Sequence, residues 1–355
     1  MGEGRHGATL AVDPLAPLLK DDGVIVLDGG LATQLEAQGA DLADALWSAR
    51  LLLEDPDSII HAHLAFFRAG AQVATTGSYQ ASFEGFAQRG IDHDTAADLL
   101  RLSVTLAHDA RRIARPAPQP GEPEALLVAA SVGPYGAMLA DGSEFRGRYG
   151  RSVAQLSDFH RERMAILARA GADLLACETI PEIEEGVALA GLLDELGAIG
   201  WLSFSCADGA RLRSGAPVED AFALADASAG VRAVGINCTA PEYVDELLER
   251  AGSVTRKPLV IYPNSGEGWD PIGRTWAPPM ADTMPVRVDA GSARRWMDEG
   301  ARLVGGCCRV MPDAISDVAS AAAVGTLRTA GASASALASA AALAPAGEPT
   351  TARPS

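Results

Sequence analysis

Short apolar runs alternate with longer amphipathic stretches along most of this chain. Eight runs read as strands: residues 24–28, 73–76, 126–132, 174–178, 201–206, 233–238, 259–262 and 303–307. They are apolar at nearly every position, as expected of strands covered on both faces. The stretches between them read as helices at 58–69, 92–115, 153–170, 183–196, 218–227, 241–251 and 290–299. In the first, Ile59, Ile60, Leu64 and Phe67 recur close to a 3.6-residue period, with His63 beside them. Strands alternating with helices imply an α/β fold with a parallel sheet and right-handed crossovers. Eight such units predict a single closed (β/α)8 TIM barrel in preference to an open doubly wound sheet. Two longer connections, 36–57 and 135–151, are placed to shape a mouth.

The pattern fades at both ends. Residues 1–14 read as a flexible extension and 15–325 as the barrel domain. Residues 326–355 form an Ala/Ser-rich, low-complexity tail without aromatic residues, expected to be disordered. Composition then narrows the function. The net charge of −17 argues against nucleic acid, whose phosphates demand Lys and Arg, and against an anionic membrane surface. No apolar stretch reaches the ~18 residues of a membrane span. The first ten residues carry no secretory pattern, so a cytoplasmic setting with reduced thiols is expected for the five cysteines.

In a (β/α)8 barrel the site lies at the C-terminal ends of the strands. Six strand ends here carry unusual residues: Asp28-Gly29-Gly30, Thr76-Gly77-Ser78-Tyr79, Cys177-Glu178-Thr179, Asn237-Cys238, Tyr262-Pro263-Asn264 and Gly305-Gly306-Cys307-Cys308. Cys238, Cys307 and Cys308 can hold one zinc ion and leave its fourth position open, a catalytic rather than a structural pattern. A metal with three thiolates polarises a carbonyl poorly, but it keeps a substrate thiol deprotonated, which points to thiol alkylation. Cys177 precedes Glu178, so alternation turns it into the core; Cys206 is ambiguous.

Asp28 and Glu178 fit either general acid/base work or an ammonium ligand, with a helix cap as the plain alternative for Asp28. Gly29 and Gly30 permit close approach of a ligand, and the amides that follow open a helix suited to a carboxylate. All six histidines read as structural or surface residues, so no catalytic triad is expected.

These motifs, together with Leu46-Trp47-Ser48, Gly133-Pro134-Tyr135-Gly136 and Tyr262-Pro263-Asn264-Ser265-Gly266-Glu267, resemble the homocysteine S-methyltransferase family from about residue 20 to 320. The resemblance implies a zinc-dependent barrel with Cys238, Cys307 and Cys308 as ligands. It implies that Asp28 and Glu178 take the homocysteine ammonium and that amides near Gly29 and Gly30 take its carboxylate. It places Trp47 and Tyr79 in the substrate pocket and Asn237 in or beside it.

The branch resembled uses S-methylmethionine or S-adenosylmethionine, so the expected reaction methylates zinc-bound homocysteine thiolate to give methionine. Betaine-dependent relatives carry an oligomerisation arm that this chain lacks, which favours a monomer with small-molecule partners only. A zinc-dependent barrel hydrolase and a non-catalytic zinc or thiol sensor are the competing readings.

Overall fold

The computed structural model describes residues 10–40, 48–115, 125–270, 275–277 and 286–324. The tail read at 326–355 lies outside them. Eight strands form one parallel sheet: β1 (Ile25–Val26), β2 (Val73–Thr75), β3 (Leu127–Val132), β4 (Leu174–Ile180), β5 (Gly200–Phe204), β6 (Val231–Asn237), β7 (Leu259–Tyr262) and β8 (Ala301–Val304). From β2 to β8 each strand pairs with the next in sequence, and β8 pairs with β1. A parallel bridge between Leu27 and Val73 then joins β1 to β2. The Gln72 amide reinforces this seam by donating to Val26 O at 2.7 Å, while the Gln72 side chain accepts from Val26 N at 3.1 Å. The ring order is that of a (β/α)8 barrel, not of an open sheet.

Strand alternation separates two cores. Ile25, Leu27, Val73, Leu127, Leu174, Ala176, Trp201, Ala233, Val260, Tyr262 and Leu303 fill the barrel interior. Leu175, Cys177, Leu202, Val234, Ile236 and Ile261 face outward into the layer beneath the helices. The parity that sends Cys177 outward turns Glu178 toward the mouth, as the sequence predicts.

The bottom of the barrel is covered from the N-terminal side. Leu15 is buried in the interior cluster, Leu10, Leu18 and Leu19 pack against it, and Ala11 N–H donates to Gly197 O at 3.0 Å. Within the stretch the sequence assigned to a flexible extension, Leu10 and the Ala11 amide thus contact the barrel, while Val12 is exposed.

β1 and β8 both end before their apolar runs do. β1 stops because Asp28, after the bridging Leu27, turns its carboxyl to Thr75. β8 ends at Val304 because Gly305 leaves the sheet where a Cβ would lie 2.6 Å from the Cβ of Leu27 and 2.7 Å from Asp28 O.

The helix Val153–Arg169 carries one charged side chain into the protein. Arg163 is buried, and its guanidinium donates to Ala81 O at 3.2 Å and to Gly133 O. It also donates to His160 Nδ1 at 2.9 Å, and His160 Nε2 in turn lies 2.8 Å from Glu185 Oε1. Burial, aided by the Arg163 charge, holds His160 neutral, which fits Nδ1 accepting while Nε2 donates. Gly133 packs under the Tyr79 ring, where a Cβ would come within 2.7 Å of it. Arg163 thus ties together the loops after β2 and β3 that hold Tyr79.

Removing this cation strands two carbonyls and a buried histidine–carboxylate pair. Arg163→Leu is expected to cost about 3–5 kcal/mol, read as a lowered urea midpoint. A loss below about 0.5 kcal/mol, the scale of an ordinary surface change, would refute the role given to this network.

Candidate active site

One cavity of about 930 Å³ opens at the C-terminal ends of the strands. Its walls include Asp28, Gly29, Gly30, Tyr79, Glu178, Cys238, Cys307 and Cys308. Chain segments far apart in sequence therefore converge on one place, as strand-end chemistry in a barrel requires. The connection 135–151 contributes Gly142, Glu144, Phe145 and Arg146 to the wall, and Glu36 and Ala40 come from the other long connection. Trp47 lies outside the described residues. No histidine among the described residues lines the cavity.

The three sulfurs meet in the cavity. Cys238 Sγ lies 3.0 Å from Cys307 Sγ and 3.6 Å from Cys308 Sγ, and the latter two are 4.0 Å apart. A tetrahedral zinc site with bonds of ~2.3 Å has sulfur–sulfur edges of about 3.8 Å, so the cluster fits such an ion with small adjustments. The thiol–thiol hydrogen bonds each favour one partner's charge and oppose the other's, and with burial and the repulsion of neighbouring thiolates added, all three thiols lie well above the usual range. A cation is what such a donor set lacks.

Two backbone departures bring the sulfurs together. Adjacent residues on a strand point to opposite faces, so Cys307 and Cys308 share a site only because β8 has already ended. The loop that carries them is stitched in place: Gly306 N–H donates to Asp28 O (3.0 Å), Cys307 N–H to Pro263 O (2.8 Å) and Ser265 N–H to Cys308 O (3.1 Å). Cys238 follows the inward-facing Asn237 and would point away under strict alternation. It adopts φ +47°, and Thr179 at the end of β4 adopts φ +61°. Left-handed backbone at such residues costs about 1–3 kcal/mol each and persists only where its surroundings hold it.

Asn237 does much of that holding. Its Oδ1 accepts from Thr179 N–H (2.7 Å) and from the Ser203 hydroxyl (2.6 Å), and its Nδ2 donates to Thr179 Oγ1 (2.8 Å). Nδ2 also lies 3.8 Å from Cys307 Sγ. The amide is fully buried and absent from the cavity wall, so it touches a cysteine rather than open space.

The two carboxyls are held differently. Asp28 accepts from Thr75 N–H at 2.6 Å and from the Thr75 hydroxyl at 2.9 Å. The following helix, Leu31–Ala37, has Gly30 at its N-cap and no side-chain cap, which removes the capping reading of Asp28. Burial pushes Asp28 up to about 8, against the pull of the Thr75 hydrogen bonds. Glu178 accepts from the Ser131 hydroxyl and from Tyr262, and burial raises it to about 7. Tyr262 Oη in turn accepts from Trp201 Nε1 at 3.0 Å, linking Glu178 to the barrel interior. Thr75, Ser131, Tyr262 and Thr179 were not singled out as site residues from sequence. All sit at strand ends; Tyr262 and Thr179, inside the Tyr262-Pro263-Asn264 and Cys177-Glu178-Thr179 motifs, offered a signal.

The glycines depart in part from expectation. Gly29 and Gly30 do admit close approach, but of protein: a Cβ on Gly29 would lie 2.4 Å from Val310 O, and one on Gly30 2.7 Å from Cys307 O. The Gly30 amide donates to Val310 O at 2.9 Å and is not available to a ligand.

The profile of homocysteine S-methyltransferases matches residues 25–322. The chain belongs to the homocysteine S-methyltransferase family. It is 47% identical over 308 residues to the homocysteine S-methyltransferase of Escherichia coli (strain K12), an alignment covering 84% of this chain and 96% of that one. It is 44% identical over 319 residues to homocysteine S-methyltransferase YbgG of Bacillus subtilis (strain 168), covering 87% and 98%. The metallated crystal structure of the homocysteine methyltransferase MmuM from Escherichia coli superposes with a TM-score of 0.76 at 45% identity, covering 86% of this chain and 99% of that one. As a member, this homocysteine S-methyltransferase transfers a methyl group to homocysteine, giving methionine.

The raised carboxyl of Asp28 has a sign that can be measured. A carboxyl whose folded value lies above its unfolded one stabilises the fold when protonated, and that contribution is lost as pH climbs from about 4 to about 8. Asp28→Asn methyltransferase is expected to melt higher than the parent at pH 8.5, with a smaller fall in Tm between pH 5 and 8.5. Parallel pH–Tm curves for the two proteins would contradict this account of Asp28.

Proposed function

We propose that this methyltransferase transfers the methyl group of a sulfonium donor, S-methylmethionine or S-adenosylmethionine, to homocysteine with zinc held by Cys238, Cys307 and Cys308. The observation that carries the reading is that three sulfurs, all within 4.0 Å of one another, share a cavity with two buried carboxyls. When bound, the zinc ion would keep the homocysteine sulfur deprotonated at neutral pH.

The chain's own residues do the rest. Asp28 and Glu178 receive the homocysteine ammonium. An arriving cation favours their ionised forms and so recovers part of the burial penalty that raises them. With the Gly30 amide committed to Val310, the homocysteine carboxylate falls to the amides that open the helix Leu31–Ala37. Tyr79 lines the pocket, and we assign Trp47 to the same wall. Asn237 acts by orienting Cys307 and fixing the turn at Thr179 rather than by touching substrate.

The transfer is a single displacement. The homocysteine sulfur supplies the electron pair for the new S–CH3 bond, and the donor's S–CH3 pair returns to its sulfur. The leaving group is a neutral thioether, so no proton must be delivered and no histidine is needed. The pocket's contribution is alignment of donor and acceptor. The reading includes a cytoplasmic setting, because the site needs reduced thiols, and a monomer that takes small-molecule substrates only.

Zinc-loaded protein given homocysteine and S-methylmethionine is expected to form methionine, and a strong chelator to abolish it. Cys308→Ala should lose zinc and more than roughly 100-fold of activity together, exceeding the 10–100-fold usual for residues that support ligands. Full activity in zinc-free Cys308→Ala protein would overturn the metal assignment. Asn237→Ala, which removes such a support, should weaken zinc affinity about 10–100-fold, measured by competition with a chromophoric chelator. Unchanged affinity would remove Asn237 from the metal's support.

A further inference from the structure

Two arginines line the cavity, and they differ in what they face. Arg146 pairs with Asp141 (3.5 Å), as Arg309 outside the wall pairs with Glu267 (2.6 Å). Arg213 has no carboxylate partner among the described residues. Its Nε is buried without a hydrogen-bond partner, and its guanidinium lies over the Phe145 ring, 5.9 Å from the centroid.

The position of Arg213 is built. It sits on a tight loop after β5, closed by antiparallel bridges between Cys206 and Leu212 and between Arg211 and Pro217. Arg213 N–H donates to Ser205 O (3.0 Å), Ser214 N–H to Pro181 O (3.0 Å), and Arg148 Nε to Ser214 O (2.7 Å). The nearby acid, Asp208, is taken by Arg211 at 2.7 Å. Cys206 N–H donates to Thr239 Oγ1 at 3.0 Å, which fixes the root of this loop against the residue after Cys238.

A cavity that admits a cationic sulfonium is a poor place for an unpaired guanidinium, unless the ligand also brings an anion. Homocysteine's own carboxylate shares a carbon with its ammonium and must therefore stay near Asp28 and Glu178. Arg213 stands instead on the β5 side of the cavity, where its charge opposes the burial that pushes the Cys206 thiol up to about 12. The anion that meets Arg213 therefore belongs to the second substrate.

We propose that Arg213 binds the α-carboxylate of the methyl donor and is the residue that sets the preference for an amino-acid sulfonium over a simple alkylsulfonium. This rests on the methyl-transfer reading above. The guanidinium fork suits a carboxylate at two oxygens, and the Phe145 face keeps the fork oriented.

The test uses the full, zinc-loaded chain with S-methylmethionine as probe, in two measurements. In initial-rate kinetics, Arg213→Gln should raise the KM for S-methylmethionine about 10- to 100-fold, the effect of a lost charged hydrogen bond, while the KM for homocysteine stays within about twofold. Arg213→Lys should recover part of the loss, since it keeps the charge without the fork. An unchanged donor KM, or a rise that falls on homocysteine instead, overturns the proposal.

In calorimetry, S-methylmethionine should bind Arg213→Gln protein at least about 10-fold more weakly than the parent; equal binding overturns the proposal. This second measurement needs no turnover. An inactive parent that still binds S-methylmethionine through Arg213 would sink the methyl-transfer reading and leave the carboxylate site standing.

Discussion

Five acidic groups share the end of this barrel: the carboxyls of Asp28 and Glu178 and the thiols of Cys238, Cys307 and Cys308. Each is disfavoured in its charged form by burial. Left alone, such a site holds its protons more tightly than free carboxyls and thiols would. It becomes useful when cations arrive, and each cation has its own place. A metal ion suits the sulfurs and a substrate ammonium suits the carboxyls. The charge deficit of the empty pocket is thus a form of selectivity, since it rewards ligands that are positive at the right points.

Such a site has to be held against its own cost, and the supports are short polar side chains at neighbouring strand ends. Thr75 fixes Asp28, Ser131 and Tyr262 fix Glu178, and Asn237 spans from Thr179 to Cys307. These links run between adjacent or nearby strands, so the rigidity of the parallel ladder passes directly to the reactive groups. The strained residues Thr179 and Cys238 lie on the same network. Backbone strain and polar bracing occur together here because each requires the other.

Much of this was legible before any coordinates. The apolar runs located all eight strands, because strands buried on both faces leave a continuous signal. The parity argument separated Cys177 from Glu178 correctly. What stayed hidden depended on atoms that sequence does not display. Treating Cys307 as the end of a strand overlooked that two neighbouring cysteines can meet one ion only beyond the sheet. The Gly30 amide looked available until Val310 claimed it, a backbone pairing that leaves no compositional trace. Thr75 and Ser131 are ordinary residues in ordinary strands, and only the ring closure that places them beside acids gives them a role. Arg163 lies in a helix whose pattern gives no warning that one cation is buried.

The seam between β1 and β2 carries a different consequence. One bridge closes the ring there, and the next pair of hydrogen bonds along it joins Asp28 to Thr75. The carboxyl to which we assign the substrate ammonium is therefore also the last fastening of the barrel at its narrowest pairing. Occupancy and ring closure become linked variables, so ligand binding adds to the stability of the whole domain through this one edge. A barrel is usually regarded as an inert frame with chemistry on its rim; under the assignment proposed for Asp28, the substrate is part of how the frame is shut.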